Sequence, residues 1–268
     1  MSGFTLIELL VVVGIIALLL GVLLTSLSRA QEAARSASCS SNLRQLGVGI
    51  TMYLGEYPDQ LPQMRVDPGT GQPVQGSAGA NIGALFGGKK GTLPFYGINE
   101  VGPQRRPLNE YVFEGDIVPD SNPASADIEM EIFRDPGDRG VSDPFLEGQG
   151  LDTSSTYDLL GSSYNLNDHA LDTNPAGDDH PTLIPREGGK MPLVDDPSRT
   201  WLLGDQPIYN YDDGGDREQH WHFGRVSANL LFVDMHVDSN LQVEEGIVND
   251  AAEYTFLPSA DWIEPFQD

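Results

Sequence analysis

From Leu9 to Ser28 no charged residue interrupts the chain, and Leu9–Leu24 (LLVVVGIIALLLGVLL) is aliphatic or glycine throughout. With Phe4–Ile7 in front, the apolar run reaches Leu27; as a helix it is about 36 Å long, enough to cross the hydrocarbon core of a bilayer. A second helical pattern follows without a break. Ser28–Leu54 contains no proline and carries an apolar stripe at Cys39, Leu43, Leu46, Ile50 and Leu54, which recurs at the period of an α-helix. Pro58 and Pro62 end it. The pattern predicts one helix of about 75 Å from about Phe4 to Leu54. Its first half suits lipid, and its second half offers one stripe to a globular body. Gly14 and Gly21 read either as bends or close helix contacts, or as ordinary glycines of a membrane helix.

Beyond the helix the pattern weakens. Residues 57–127 are rich in Gly, Pro, Asn and Gln, with apolar islands at Ala84-Leu85-Phe86 and Leu93-Pro94-Phe95-Tyr96, and read as loops with short strands or turns. Ile128–Phe133 (IEMEIF) alternates apolar and acidic residues, which predicts a half-buried strand. Asp135-Pro136-Gly137-Asp138 predicts a turn. The best strand signals are Thr200–Gly204 (TWLLG) and Ala228–Val233 (ANLLFV). No internal repeat is evident. Trp201, Trp221 and Trp262 read as core or edge aromatics.

Composition narrows the function classes. The 268 residues include 40 acidic and 15 basic side chains, a net charge of −25, so the chain lacks the Lys/Arg stripe that neutralises a phosphate backbone; no nucleic-acid partner is expected. Thirty glycines and 19 prolines predict a loop-rich body. One cysteine, Cys39, excludes an intrachain disulfide framework and a Cys-rich zinc module. On the helix stripe it reads as a small buried apolar residue, or else as one half of an intermolecular disulfide. No nucleophile elbow or phosphate-binding loop occurs; Gly87-Gly88-Lys89-Lys90-Gly91-Thr92 lacks the required spacing.

Glu8 breaks the apolar run, and a carboxylate in lipid needs a partner. A cleaved secretory signal does not explain it, because no Lys or Arg precedes the run and the core is too long. A plain signal anchor leaves Glu8 without a role. Gly3-Phe4-Thr5-Leu6-Ile7-Glu8-Leu9 resembles the prepilin-type cleavage and methylation motif of type IV pilins and type II secretion pseudopilins. That resemblance implies cleavage by a prepilin peptidase between Gly3 and Phe4 and N-methylation of Phe4. It also implies an assembly role for Glu8, whose carboxylate would pair with the new amine of its own or a neighbouring subunit. The leader, Met1-Ser2-Gly3, is shorter than that family's and lacks its basic residues, which suggests a start codon upstream. Arg29, Arg35 and Arg44 follow the apolar run, so the positive-inside rule alone would place them in the cytoplasm. The family topology is the reverse.

A second resemblance lies downstream. Asn42-Leu43-Arg44-Gln45-Leu46-Gly47, Phe133-Arg134-Asp135-Pro136-Gly137-Asp138, Ser163-Tyr164-Asn165-Leu166-Asn167, His222-Phe223-Gly224 and Ala228–Val237 occur in that order. They resemble a large pseudopilin-like family abundant in planctomycetes, with a histidine followed by an Asp-Gly-His-Val strand end. Met235 replaces the usual glycine, and Asp135 stands where relatives often have cysteine. Together the resemblances imply an α+β, pilin-like fold: a long N-terminal transmembrane and spine helix packed on a small antiparallel sheet with extended loops. The implied divisions are a leader at 1–3, a membrane half at 4–27, an exposed helical half at 28–55 and an extracytoplasmic β domain at 56–268. The implied role is a non-enzymatic subunit of a pseudopilus or pilus-like filament, anchored once in the cytoplasmic membrane with its body outside. Its partners would be its own copies, related pseudopilins, the prepilin peptidase, the inner-membrane assembly platform and membrane lipids. The alternative is a membrane-anchored binding protein or metal-dependent hydrolase.

Two clusters carry metal-ligand character. His220-x-His222 and Asp234-x-His236, each on one face of an extended segment, suggest a zinc-like set if their strands pair. The simpler expectation is that His222 and Asp234 hydrogen-bond across a strand pair, with His236 beside them, and fix its register. Asp205 together with Asp212, Asp213 and Asp216 of the loop DDGGDRE suggests Ca²⁺, although the spacing is not that of an EF-hand. A solvated surface loop is the competing expectation.

Overall fold

In a computed structural model, the structure describes residues 5–67, 70, 72, 80–168, 183–184, 189–211, 214–246 and 249–259. One helix, α1 (Leu6–Glu56, 51 residues), forms the spine. Thr5 caps it: the Thr5 hydroxyl accepts from the Glu8 amide at 3.3 Å, while Glu8 Oε2 accepts from the Thr5 amide at 2.8 Å. From Thr5 to Gln31 every side chain is exposed, so an apolar cylinder projects from the body. It is long and apolar enough to span a membrane.

Packing starts at Ser36, and the buried stripe runs through Cys39, Leu43, Leu46, Ile50 and Tyr53. Tyr53 takes the place expected for Leu54, which is only half-buried at the stripe's edge. Burying each of Leu43, Leu46 and Ile50 contributes about 1.5–3 kcal/mol.

The stripe lies on a four-stranded antiparallel sheet. A small hairpin, β1 (Arg65–Val66) with β2 (Ala80–Asn81), precedes it. The main sheet contains β3 (Tyr164–Leu166), β4 (Trp201–Asp205), β5 (Ser227–Phe232) and β6 (Val237–Gln242), side by side in sequence order. The chain is therefore α+β. Alternation along β5, with a bulge in β4 between Trp201 and Leu203, divides its core. Leu231 and Leu203 join the helix side, whereas Trp201, Ala228, Leu230 and Phe232 turn to the opposite face and meet Tyr254 and Phe256.

Where α1 crosses its neighbours it carries glycine. A Cβ on Gly49 would stand 2.2 Å from a methyl of Val112, in the short helix α2 (Asn109–Val112). Trp201 and Trp221 are fully buried, as expected; Trp262 lies outside the described residues.

The expected strand at 128–133 does not form. Glu131–Phe133 is a 3₁₀ turn, and the two fully buried side chains, Met130 and Phe133, are three apart rather than two. The Met130 amide donates to the Tyr157 hydroxyl at 2.7 Å instead of to a neighbouring strand. The turn at Asp135–Asp138 is present, closed by Asp138 N–H to Asp135 C=O at 3.0 Å. Buried polar side chains tie the loops of 83–109 together. Arg106 donates to the carbonyls of Ala84, Gly87 and Leu160. Asn109 accepts from the Gly88 amide and donates to the Gly88 and Pro103 carbonyls. Lys89, which superficially suggested a phosphate loop, is buried between Asp158 (2.6 Å) and Glu129 (2.8 Å), with its ammonium 4.3 Å from the Tyr157 ring centre.

Candidate functional site

Between α1 and the sheet, one turn before Leu43, the contact is polar. Strand alternation puts Asp205 on the helix side with Leu203, and Asn229 with Leu231. Cys39 comes down from α1. Asp135 enters from the turn after Phe133, and His222 from a tight turn just before β5. All four of Cys39, Asp135, Asp205 and His222 are buried, and their sulfur, oxygen and nitrogen atoms lie within 4.8 Å of one another.

The pairings are specific. His222 Nε2 is 3.1 Å from Asp135 Oδ2 and 3.5 Å from Asp205 Oδ2. Cys39 Sγ is 3.8 Å from Asp205 Oδ2 and accepts from the Tyr164 hydroxyl at 3.5 Å. Backbone and amide groups hold the carboxylates. Asp135 Oδ1 accepts from the Gly137 amide at 2.5 Å, and Asp205 accepts from the Asn229 amide (3.0 Å) and its side-chain Nδ2 (2.7 Å). Gly137 permits the close approach, because a Cβ there would lie 2.5 Å from the imidazole Cε1. Behind the ring, Nδ1 has no hydrogen bond; the nearest acidic oxygen is Glu32 Oε1 at 3.8 Å.

Electrostatics follow from the burial. Burial pulls the His222 imidazole down, but the hydrogen bonds and charges of Asp135 and Asp205 outweigh it and hold the ring protonated well above its usual range. Burial pushes the Asp205 carboxyl up, reinforced by the charge of Asp135 and opposed by His222 and Asn229. The Cys39 thiol is pushed up by burial, then by the charges of Asp135 and Asp205. Cys39 is thus buried in the core, as expected, but at a place where that core also holds two carboxylates and an imidazole, and an intermolecular disulfide has no access to it.

The turn carrying His222 is unusual. Phe223 and Gly224 both take positive φ (53° and 65°), and the turn is closed by a bridge between His222 and Arg225. The Phe223 amide donates to Glu32 Oε1 at 3.2 Å, which fixes the turn to α1.

The four side chains of the expected zinc-like set are not brought together. His222 precedes β5 and Asp234 follows it, so six residues of strand hold them about 20 Å apart. The expected His222–Asp234 hydrogen bond gives way to His222–Asp135, and Asp234 pairs with His236 two residues on, in the hairpin between β5 and β6. His236 stacks on Phe232 at 4.3 Å. His220 is half-exposed and 3.5 Å from Asp216. The Asp205–Asp216 calcium pairing fails for a related reason. Asp205 is sealed under α1, whereas Asp216 is on the surface, accepting from Asn210 Nδ2 and the Glu218 amide. Gly3, Phe4, Asp212 and Asp213 lie outside the described residues. Glu8 is the acidic partner in the helix cap.

Asp135 and Asn229 were missed as members of this cluster. For Asp135 a signal existed: a position often occupied by cysteine in a family resembling this one pointed toward Cys39, and the structure puts the two side chains in contact. No sequence signal marked Asn229.

A family model described as "Protein of unknown function (DUF1559)" matches residues 28–221, and the chain belongs to that family. The match covers Cys39, Asp135 and Asp205 and stops one residue short of His222. Neither the comparison with curated proteins nor that with solved structures returns a match.

Proposed function

We propose that this DUF1559 chain is a pilin-like structural subunit, anchored by the first half of α1 and assembled through it into a pseudopilus or pilus-like filament outside the cytoplasmic membrane. One observation carries the reading. A single unbroken helix leaves residues 5–31 bare, most of them apolar, and packs the stretch from Ser36 to Tyr53 on the sheet, an arrangement suited to serve as both anchor and spine. An apolar cylinder of that size is stable only in lipid or against other apolar helices, and a filament of such subunits offers the second environment after the membrane has offered the first. The motif Gly3–Leu9 supports processing at Phe4, and the extracytoplasmic side follows from it.

The hydrolase alternative receives less support, since the histidine cluster that suggested it is dispersed and His222 is closed to solvent. N-terminal mass analysis of the protein extracted from native membranes tests the proposal. N-methyl-phenylalanine at Phe4, with residues 6–27 cross-linking to copies of the same chain, is the expected result. A polypeptide that retains its first three residues, or one trimmed near residue 30 and freely soluble, overturns it.

A further inference from the structure

We infer that Cys39, Asp135, Asp205 and His222 form a four-coordinate site for a divalent transition metal of the zinc type, which clamps α1 to the sheet and to the turn at 135–138.

The donor set is one sulfur, one imidazole nitrogen and two carboxylate oxygens. Calcium and magnesium require oxygen-rich shells, while this mixture suits zinc. The spacing agrees with the chemistry. Metal–ligand bonds of about 2.0–2.3 Å in a tetrahedron place N and O ligands about 3.3 Å apart and S and O ligands about 3.5 Å apart. The observed separations are 3.1 and 3.5 Å from His222 Nε2 to the two carboxylates, and 3.8 Å from Cys39 Sγ to Asp205 Oδ2.

The groups behind the ligands are arranged as in a metal site. Each carboxylate has an oxygen tied to a backbone amide, of Gly137 or Asn229. Tyr164 donates to the sulfur, which favours the thiolate. Nδ1 of His222 makes no hydrogen bond, and Glu32 Oε1, an acidic oxygen of the kind that orients a ligating imidazole, lies 3.8 Å from it. The four residues come from four separate parts of the chain, so they meet only in the folded protein. Binding releases the thiol and imidazolium protons, and its free energy adds to that of folding.

The test uses the full chain in detergent micelles, stripped with a chelator and titrated with Co²⁺ as the probe and Zn²⁺ as the competitor. The expected result is a thiolate-to-cobalt charge-transfer band that saturates at a single equivalent, disappears on adding Zn²⁺ and is absent from Cys39→Ser. Zinc should also raise the midpoint of thermal unfolding. If Cys39→Ser fails to fold, the wild-type titration alone decides. Absence of the band together with an unchanged midpoint overturns the site, and so does a band that survives in folded Cys39→Ser. The filament reading stands or falls separately, on the N-terminal mass.

Discussion

His222 Nε2 and Asp135 Oδ2 meet at 3.1 Å across 87 positions of sequence, with both side chains closed to solvent. The contact links the turn before β5 to the turn after Phe133, and Glu32 holds the first of these to α1. Removing one member of a buried ionic pair leaves the other charged and unpaired. In the chelator-treated chain, His222→Phe is expected to lower stability by about 3–5 kcal/mol, because Asp135 and Asp205 then face each other without a cation. Adding Asp135→Leu should recover part of that loss. Urea unfolding followed by the fluorescence of Trp201 and Trp221 measures both, and a loss below about 1 kcal/mol for His222→Phe would contradict the pairing.

Asp135 also touches Cys39, which makes a covalent test available. Asp135→Cys is expected to form an intrachain disulfide with Cys39 on oxidation. In the chain-entropy account, closing a loop of that length stabilises by about 4–5 kcal/mol, less any strain. Intact mass and thiol counting under denaturing conditions read the result. Two free thiols after oxidation would show that these side chains do not face one another.

Lys89 gives the pH dependence a sign. Burial raises the Asp158 carboxyl, but the hydrogen bond and charge of Lys89 outweigh it and hold the group below the usual 3.8. A carboxyl depressed in the folded state stabilises fully above its unfolded value and ceases to do so as pH falls through the lower, folded value. Asp158 is half-exposed, so screening keeps the contribution to about 1 kcal/mol or less. Asp158→Asn should therefore be less stable than the parent at neutral pH and equal to it in strong acid. A difference that persists unchanged into acid would rule this out.

Met235 tests a local conflict. It adopts φ 71° in the loop between β5 and β6, where the family resemblance leads one to expect glycine. Left-handed backbone costs a residue with a Cβ about 1–2 kcal/mol. Because the Met235 side chain also packs on the core, Met235→Gly alone mixes two effects. Met235→Ala loses the same packing but keeps the Cβ, so the glycine variant should be the more stable of the two by about 1 kcal/mol. Equal thermal midpoints for the two variants would remove the strain argument.

What could be read in advance divides along physical lines. The helix, its apolar half and most of its stripe are local periodicities, and Cys39, Leu43, Leu46 and Ile50 appeared where the period put them. The strands at Trp201 and Ser227 are runs of apolar residues that no other element competes for. Ile128–Phe133 misled because its buried side chains, Met130 and Phe133, also fit a 3₁₀ turn, and the Tyr157 hydroxyl, with no neighbouring strand among the described residues, decides the outcome. The buried cluster was the least legible part. Its members are 39, 135, 205 and 222, and nothing local tells a carboxylate sealed under a helix, such as Asp205, from one in water, such as Asp216. Sequence proximity grouped His220 with His222, and Asp234 with His236; the fold separates the first pair from the second by the length of a strand.

Glu8 has two candidate duties that a single substitution cannot distinguish. Its carboxylate caps α1 by accepting from the Thr5 amide (2.8 Å) and hydroxyl (2.9 Å), a local role that persists after cleavage at Phe4 because Thr5 remains. The filament reading adds a second role, charge pairing with a Phe4 amine in lipid. Glutamine retains an acceptor for the cap but no charge, whereas alanine removes both. Under the filament reading, Glu8→Gln and Glu8→Ala should both be processed to Phe4 and inserted, and both should fail to assemble. If capping is the whole role, Glu8→Gln should assemble like the parent and only Glu8→Ala should fail. Filament yield in the sheared cell-surface fraction, with N-terminal mass as the control for processing, separates the two, and normal yield from Glu8→Gln would leave the charge without a function in assembly.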